Sequence, residues 1–293
     1  MPYTMIEYIK DERIATITLN RPEKHNTLRT EMWEELEDAL GDANRDHDIR
    51  VIVLQGAGDA FCAGFDFSGG LEHFPGLGED EYDPGRDAAA VANPFLGPVP
   101  KFMQVWRGLT PVIAKVHGWC VGGGSELALC ADLVIASEDA QFGTPYSRVW
   151  GCHLTGMWIY RLGLTKAKFY ALTGCPVSGK EAAEIGLINF AVPLEELDAT
   201  VDHWAGRLAQ LPATQLASMK LIVNQAFENM GIQSTQYLGP VLDGIMRNTP
   251  EGRGFVQTSM DKGVRAAVTE RDGPFGDYSQ APPERKPRRK SQL

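Results

Sequence analysis

Residues 112–133 read VIAKVHGWCVGGGSELALCADL. A short β-branched run, Val112–Val116, predicts a buried strand; three glycines follow, Gly122, Gly123 and Gly124, and then an apolar helix begins. Glycine lets a backbone take unusual dihedrals and approach a ligand closely. The first N–H groups of a helix have no intrahelical acceptor and lie at its electropositive end, where an oxyanion is stabilised. Glu126 follows Gly123 by three residues, one helical turn, so its carboxylate can face the same place. The same residues also suit a plain tight turn with a capping glutamate. The order is not G-x-G-x-x-G and no Lys-Ser or Lys-Thr follows the glycines, so dinucleotide and P-loop readings are weak.

Outward from this stretch, residues 50–55 and 132–137 are also short apolar runs bounded by turn residues. Residues 3–9 and 12–19 predict two further strands around a Lys10-Asp11-Glu12 turn, and residues 30–44 a helix with Met32, Trp33, Leu36, Leu40 and Ala43 on one face. Alternating strand, turn and helix define an α/β protein with one main sheet system. From about residue 195 the pattern becomes helical: Leu197, Val201, Trp204, Ala205 and Leu208 form a stripe, and 214–229 and 233–247 predict two more helices. Residues 68–98 are rich in Gly, Pro and acids without periodicity and read as one long loop; from about 273 the chain is Pro-rich and charged and reads as loosely packed.

The 293 residues are 43% hydrophobic and 23% charged, which excludes a disordered or collagen-like chain. The net charge is −10, and residues 284–293 carry five cations against one acid, so the body is more acidic still. A nucleic-acid surface needs a basic stripe, which this body lacks. Five cysteines without ligand spacing read as free thiols, with no disulfide framework and no metal site. No apolar run is long enough for a membrane span, and the N-terminus lacks a signal-peptide core. The expectation is a cytoplasmic protein.

A second feature, AFCAGFDF at 60–67, follows the strand at 50–55. Taken alone it is a turn. Together with ITLNRPEKHNTL at 17–28, GWCVGGGSELALCADL, ADLVIASEDAQFGTP at 131–145 and LTGCPVSGKEAAEIGLINFAVP at 172–193, it resembles the crotonase (enoyl-CoA hydratase/isomerase) superfamily, from residue 17 to about 260. The resemblance implies a spiral of repeated ββα units with a C-terminal helical trimerisation region. It implies acyl-CoA substrates, coenzyme A entering only as part of the substrate with no other cofactor, and a homotrimer or dimer of trimers. It divides the chain into a core at 1–195, with the 68–98 insert over the acyl pocket, a helical region at 196–272 and a basic tail at 273–293.

Carried over by position, the N–H groups of Phe65 and Gly123 would form the oxyanion hole and Glu126 would be the catalytic acid/base. Ala63, Asp66, Phe67 and Gly122 would line the thioester and pantetheine, and Lys24, His25 and Asn26 would lie near the nucleotide end. Family hydratases use a second glutamate, twenty residues beyond the first; here Tyr146 stands in that place. A tyrosine hydroxyl, with a pKa of about 10, donates well and is a poor base. One carboxylate suffices for double-bond isomerisation; hydration then needs Glu126, solvent or Tyr146 to supply the α-proton. His153, in the segment that lines the acyl pocket in this family, is either an extra acid/base or a hydrogen-bonded pocket residue. His117 reads as structural, and Arg148 either as a sensor of a substrate carboxylate or, the simpler reading, as a surface residue. The alternatives are a hydrolase, decarboxylase or lyase using Tyr146 or His153, and a non-catalytic acyl-CoA-binding subunit.

Overall fold

The computed structural model describes residues 2–67, 83–93 and 97–278. Ile6–Asp11 (β1) and Ile14–Leu19 (β2) form an antiparallel hairpin that turns at Glu12, one residue later than the polar run suggests, with φ of 50°. Thr30–Arg45 (α1) buries Met32, Trp33, Leu36, Leu40 and Ala43, the predicted stripe, and Ala39. Glu35 on its edge accepts hydrogen bonds from the N–H groups of Thr4, Met5 and Ile6 and pins the hairpin to the helix.

A rhythm then sets in. Val51–Gly56 (β3) and Ala60–Cys62 (β4) are followed by helices Pro84–Ala92 (α2) and Pro98–Arg107 (α3). Val112–Val116 (β5) and Trp119–Val121 (β6) lead into Gly123–Leu129 (α4). Leu133–Ser137 (β7) and Gln141–Gly143 (β8) lead into Met157–Thr173 (α5), and Val177–Ser178 (β9), Gly179–Glu184 (α6) and Phe190–Val192 (β10) complete the core. In each of these ββ pairs the first strand enters a six-stranded sheet, ordered β1-β2-β3-β5-β7-β10, and the second a four-stranded sheet, β4-β6-β8-β9. One sheet system was expected; the chain winds through two as a spiral of ββα turns. From β2 onward the large sheet is parallel. Its central strands are buried on both faces, which is why β3 reads VIVLQ rather than alternating.

The helices Leu194–Ala209 (α7), Ala213–Asn229 (α8), Ile232–Arg247 (α9), Pro250–Lys262 (α10) and Val264–Asp272 (α11) follow. The helical region, expected from 196, begins with α7 at Leu194. Packing does not separate the parts there, because Leu197, Val201 and Ala205 of α7 bury against Val51, Val53, Ile113 and Ile135 of the large sheet.

Three sequence expectations change. The 68–98 loop contains α2 and the start of α3; residues 68–82 and 94–96 lie outside the described residues. Asp83 caps α2 through the N–H groups of Gly85 and Arg86, and Pro84 occupies its first turn. Arg148 is not a surface residue: its side chain is 2% exposed, bonded to Asp272 and bidentate to Asp277, and it stacks on Phe275 at 4.1 Å. Of residues 273–278, the first four are exposed while Asp277 is held by Arg148 and the Tyr278 hydroxyl donates to the Gly174 carbonyl; residues 279–293 are outside the described set. Replacing Arg148 by Ala takes one cation from the buried Asp272, which keeps its bidentate pair with Arg271, and removes the guanidinium from the part-exposed Asp277. The expected loss is about 2 kcal/mol, read as a lowered denaturation midpoint.

Candidate active site

The first turn of α4 is held against β4. A Cβ on Gly124 would stand 2.1 Å from the Cys62 carbonyl oxygen, so only glycine permits this approach. Ser125 Oγ donates to the Gly122 carbonyl and receives the Trp158 indole N–H, which locks the turn. Gly123 is the first helical residue, so its N–H is one of those without an intrahelical acceptor. Across from it, Gly64 has φ of 102°, and a Cβ there would lie 3.6 Å from the Gly123 nitrogen. Leu28 pairs with this segment through the Gly64 carbonyl and the Asp66 N–H, so Phe65 lends neither backbone group to that bridge. The two loops singled out by sequence therefore abut, backbone to backbone.

Glu126 is fully buried. Its Oε2 accepts from the Thr155 N–H at 3.0 Å and from the Thr155 hydroxyl. Its Oε1 lies 3.6 Å from His153 Nδ1, too far for a hydrogen bond. Among the described residues Glu126 Oε1, His153 Nδ1 and the Tyr146 hydroxyl are all buried without a hydrogen-bond partner. The Tyr146 and His153 rings meet edge-on at 5.5 Å. Burial first, and then the Glu126 and Asp243 carboxylates, hold the Tyr146 hydroxyl well above its ordinary pKa, so it is a neutral donor.

A cavity of about 940 Å3 opens on this place. Lys24, His25 and Lys101 line it, as do Ala63, Phe65, Asp66, Phe67, Gly122, Gly123 and Tyr146. Glu126 and His153 are not among its lining residues, though Cys152 and Leu154, on either side of His153, are. Asn26 departs from its expected place. It is fully buried, its side-chain oxygen accepts from the Arg21 N–H, and its amide donates to the Ala57 and Ala60 carbonyls, so it shapes the loop rather than lining the cavity. The Asp66 carboxylate is held by Arg21 at 2.9 Å. His117 is structural, with Nε2 3.0 Å from the Gly58 carbonyl. Sequence reasoning missed Thr155, which orients Glu126, because nothing in local spacing marks a residue 29 positions away. It also missed Asp243 and Arg247 of α9, which line the cavity. All five cysteines are free thiols. Among the described residues no cluster of His, Cys, Asp and Glu is arranged to hold a metal, and no helix is long and apolar enough to cross a membrane.

Two sheets wound as ββα turns, with two abutting backbone loops beside a buried glutamate, define a crotonase-type protein. The family model for enoyl-CoA hydratase/isomerase matches residues 10–239, and the chain belongs to that family. A crystal structure of an enoyl-CoA hydratase from Mycobacterium smegmatis is similar at a TM-score of 0.86, with 38% identity, covering 96% of this chain and 98% of that one. A probable enoyl-CoA hydratase of Mycobacterium tuberculosis is 32% identical over 236 residues, 78% of this chain and 84% of that protein. The 1,2-epoxyphenylacetyl-CoA isomerase of Escherichia coli is 32% identical over 231 residues, 77% of this chain and 85% of that protein.

Proposed function

We propose that the chain hydrates a 2-enoyl-CoA thioester, with Glu126 as the single acid/base. The observation that carries this reading is the set of three buried, unpartnered polar atoms: Glu126 Oε1, His153 Nδ1 and the Tyr146 hydroxyl. A buried water needs two to four polar partners, and these are of the right kinds. Glu126 removes a proton from that water as its oxygen bonds to the β-carbon. The electron pair of the double bond moves onto the thioester oxygen, where the Phe65 and Gly123 N–H groups stabilise the negative charge. The Glu126 carboxyl then returns the proton to the α-carbon, so one carboxylate serves both halves. Neutral Tyr146 donates a hydrogen bond and holds the water in place. Lys24 and Lys101 offer positive charge to the nucleotide phosphates, an attraction that counts in a protein of net charge −10, and His25 lies beside Lys24 in the same wall.

A second reaction, double-bond isomerisation, is favoured by Tyr146: with no second carboxylate, Glu126 can shuttle a proton along the acyl chain without water. We infer a homotrimer or a dimer of trimers as the working form, a reading supported by the apolar side chains that α8 and α9 expose, among them Met219, Ile222, Val223, Leu238 and Ile245.

Mass-resolved turnover of short, long and ring-bearing enoyl-CoA thioesters tests the reading. A gain of one water with the thioester intact is expected. An unchanged mass with a moved double bond replaces hydration by isomerisation, free CoA replaces it by hydrolysis, and no change on any substrate leaves a binding subunit.

A further inference from the structure

A peptide unit carries its acceptor and its donor at opposite ends. When the carbonyl oxygen accepts a hydrogen bond, the unit is polarised and its N–H becomes the better donor. The Phe65 N–H shares its peptide unit with the Gly64 carbonyl, and the Gly123 N–H shares its unit with the Gly122 carbonyl. Both carbonyls are doubly engaged. The Gly64 oxygen accepts from the Leu28 N–H at 2.8 Å and from Cys62 Sγ at 3.7 Å. The Gly122 oxygen accepts from the Glu126 N–H at 3.1 Å and from Ser125 Oγ at 2.9 Å. In each pair one donor is backbone and the other is a fully buried side chain.

A serine that bonds a carbonyl three residues back is common in helices. Ser125 differs in what drives it. Its Oγ receives the indole N–H of Trp158 at 3.1 Å, and Trp158 is itself fully buried. An indole only donates, so the hydroxyl accepts from it and turns its single proton elsewhere. Two carbonyls lie within reach, Gly122 at 2.9 Å and Gly143 at 3.4 Å. The nearer takes the proton, and Gly143 already accepts the Gly122 N–H at 2.8 Å. The result is a one-way chain from Trp158 through Ser125 to the Gly122 carbonyl, with the Gly123 N–H at its far end. Bonds in such chains strengthen one another by about 10–30% each. A thiol is a weak donor, so the Ser125 arm is the stronger of the two.

We propose that Ser125, its proton directed by Trp158, is a positioning residue that orients and polarises the Gly123 N–H toward the thioester oxygen. This rests on the oxyanion role of that N–H in the enoyl-CoA reading. Neither Ser125 nor Trp158 lines the cavity, so both act through the peptide unit. A strengthened N–H gains most where the oxygen carries most charge, so the effect falls on kcat more than on KM.

The test uses the full chain and two readouts. Ser125→Ala is expected to lower kcat on crotonyl-CoA about threefold to tenfold, with KM changed by less than about twofold. Isotope-edited infrared spectra of bound butyryl-CoA, labelled with carbon-13 at the thioester carbonyl and lacking a double bond to react, report the pull on the oxygen. Binding to the unaltered protein is expected to lower the carbonyl stretch. Ser125→Ala should give back about 10–30% of that shift, Trp158→Phe less, and the double variant no more than Ser125→Ala alone. Lost folding stability with an unchanged stretch makes Ser125 a packing residue and overturns the proposal. So does a Trp158→Phe effect that persists in full beside Ser125→Ala. Should Ser125→Ala not fold, Trp158→Phe decides alone: an unchanged stretch overturns the proposal and leaves the enoyl-CoA reading standing. A stretch that the unaltered protein does not lower, or failure to bind either thioester, removes both.

Discussion

Glu126→Gln is expected to lower kcat by about 10²- to 10⁴-fold, the usual contribution of a positioned general acid/base. Glutamine has the same shape, and its amide oxygen can still accept from the Thr155 N–H and hydroxyl, so the segment that carries Thr155 keeps its anchor. What disappears is the basicity of the oxygen facing His153 and Tyr146. The neighbours cannot restore it. The Tyr146 hydroxyl is held protonated by burial and by the Glu126 and Asp243 charges, and His153 is 3.6 Å away in the present arrangement. On the proposed reading the nucleotide and pantetheine contacts lie elsewhere in the cavity, so calorimetric binding of a non-reactive acyl-CoA should change by less than about threefold. A variant that retained a tenth of the activity would remove Glu126 from the proposed role.

The elements that sequence reading located well are those whose signal is local. Strands β3, β5 and β7 are buried on both faces and therefore read as continuous apolar runs; the stripe of α1 is the face it buries. The glycines at 122–124 mark the loop over Glu126 because Gly124 approaches Cys62 too closely for a side chain and Gly122 holds a φ of 56°. What stayed hidden depends on long-range pairing. Thr155 reaches Glu126 across 29 residues, Arg148 finds Asp272 across 124, and Arg247 meets Asp87 across 160. Helix α9 was found as a helix, but the meaning of its pattern was not. Its inward face instead carries Gln236, Asp243 and Arg247, whose partners Thr155 and Asp87 lie far away in sequence. Helix α2 carried a local signal that composition masked: Asp83-Pro84 is an N-cap followed by a first-turn proline, within a stretch otherwise marked by glycine and acids.

Gly64→Ala is expected to reduce kcat by about 10²-fold while leaving KM for the thioester nearly unchanged, because it acts on an interaction that strengthens only as charge develops. Gly64 holds φ of 102°, where an L-residue is strained, and an added Cβ would stand 3.0 Å from the Val121 carbonyl oxygen. Both demands are met by shifting the loop away from β6 and α4. The residue carried with it is Phe65, whose N–H must align with that of Gly123 on one oxygen. A shift of even half an ångström weakens that hydrogen bond, since its strength falls steeply with distance and angle. Strain of this kind costs about 1–3 kcal/mol, so the denaturation midpoint should fall as well, by less than the activity does. The ratio of the two losses decides the matter. If activity falls only as far as the folded fraction does, Gly64 serves stability alone and the Phe65 N–H is not an oxyanion donor. If a fully folded variant turns over a hundred times more slowly at the same KM, the two abutting loops are placed for the transition state.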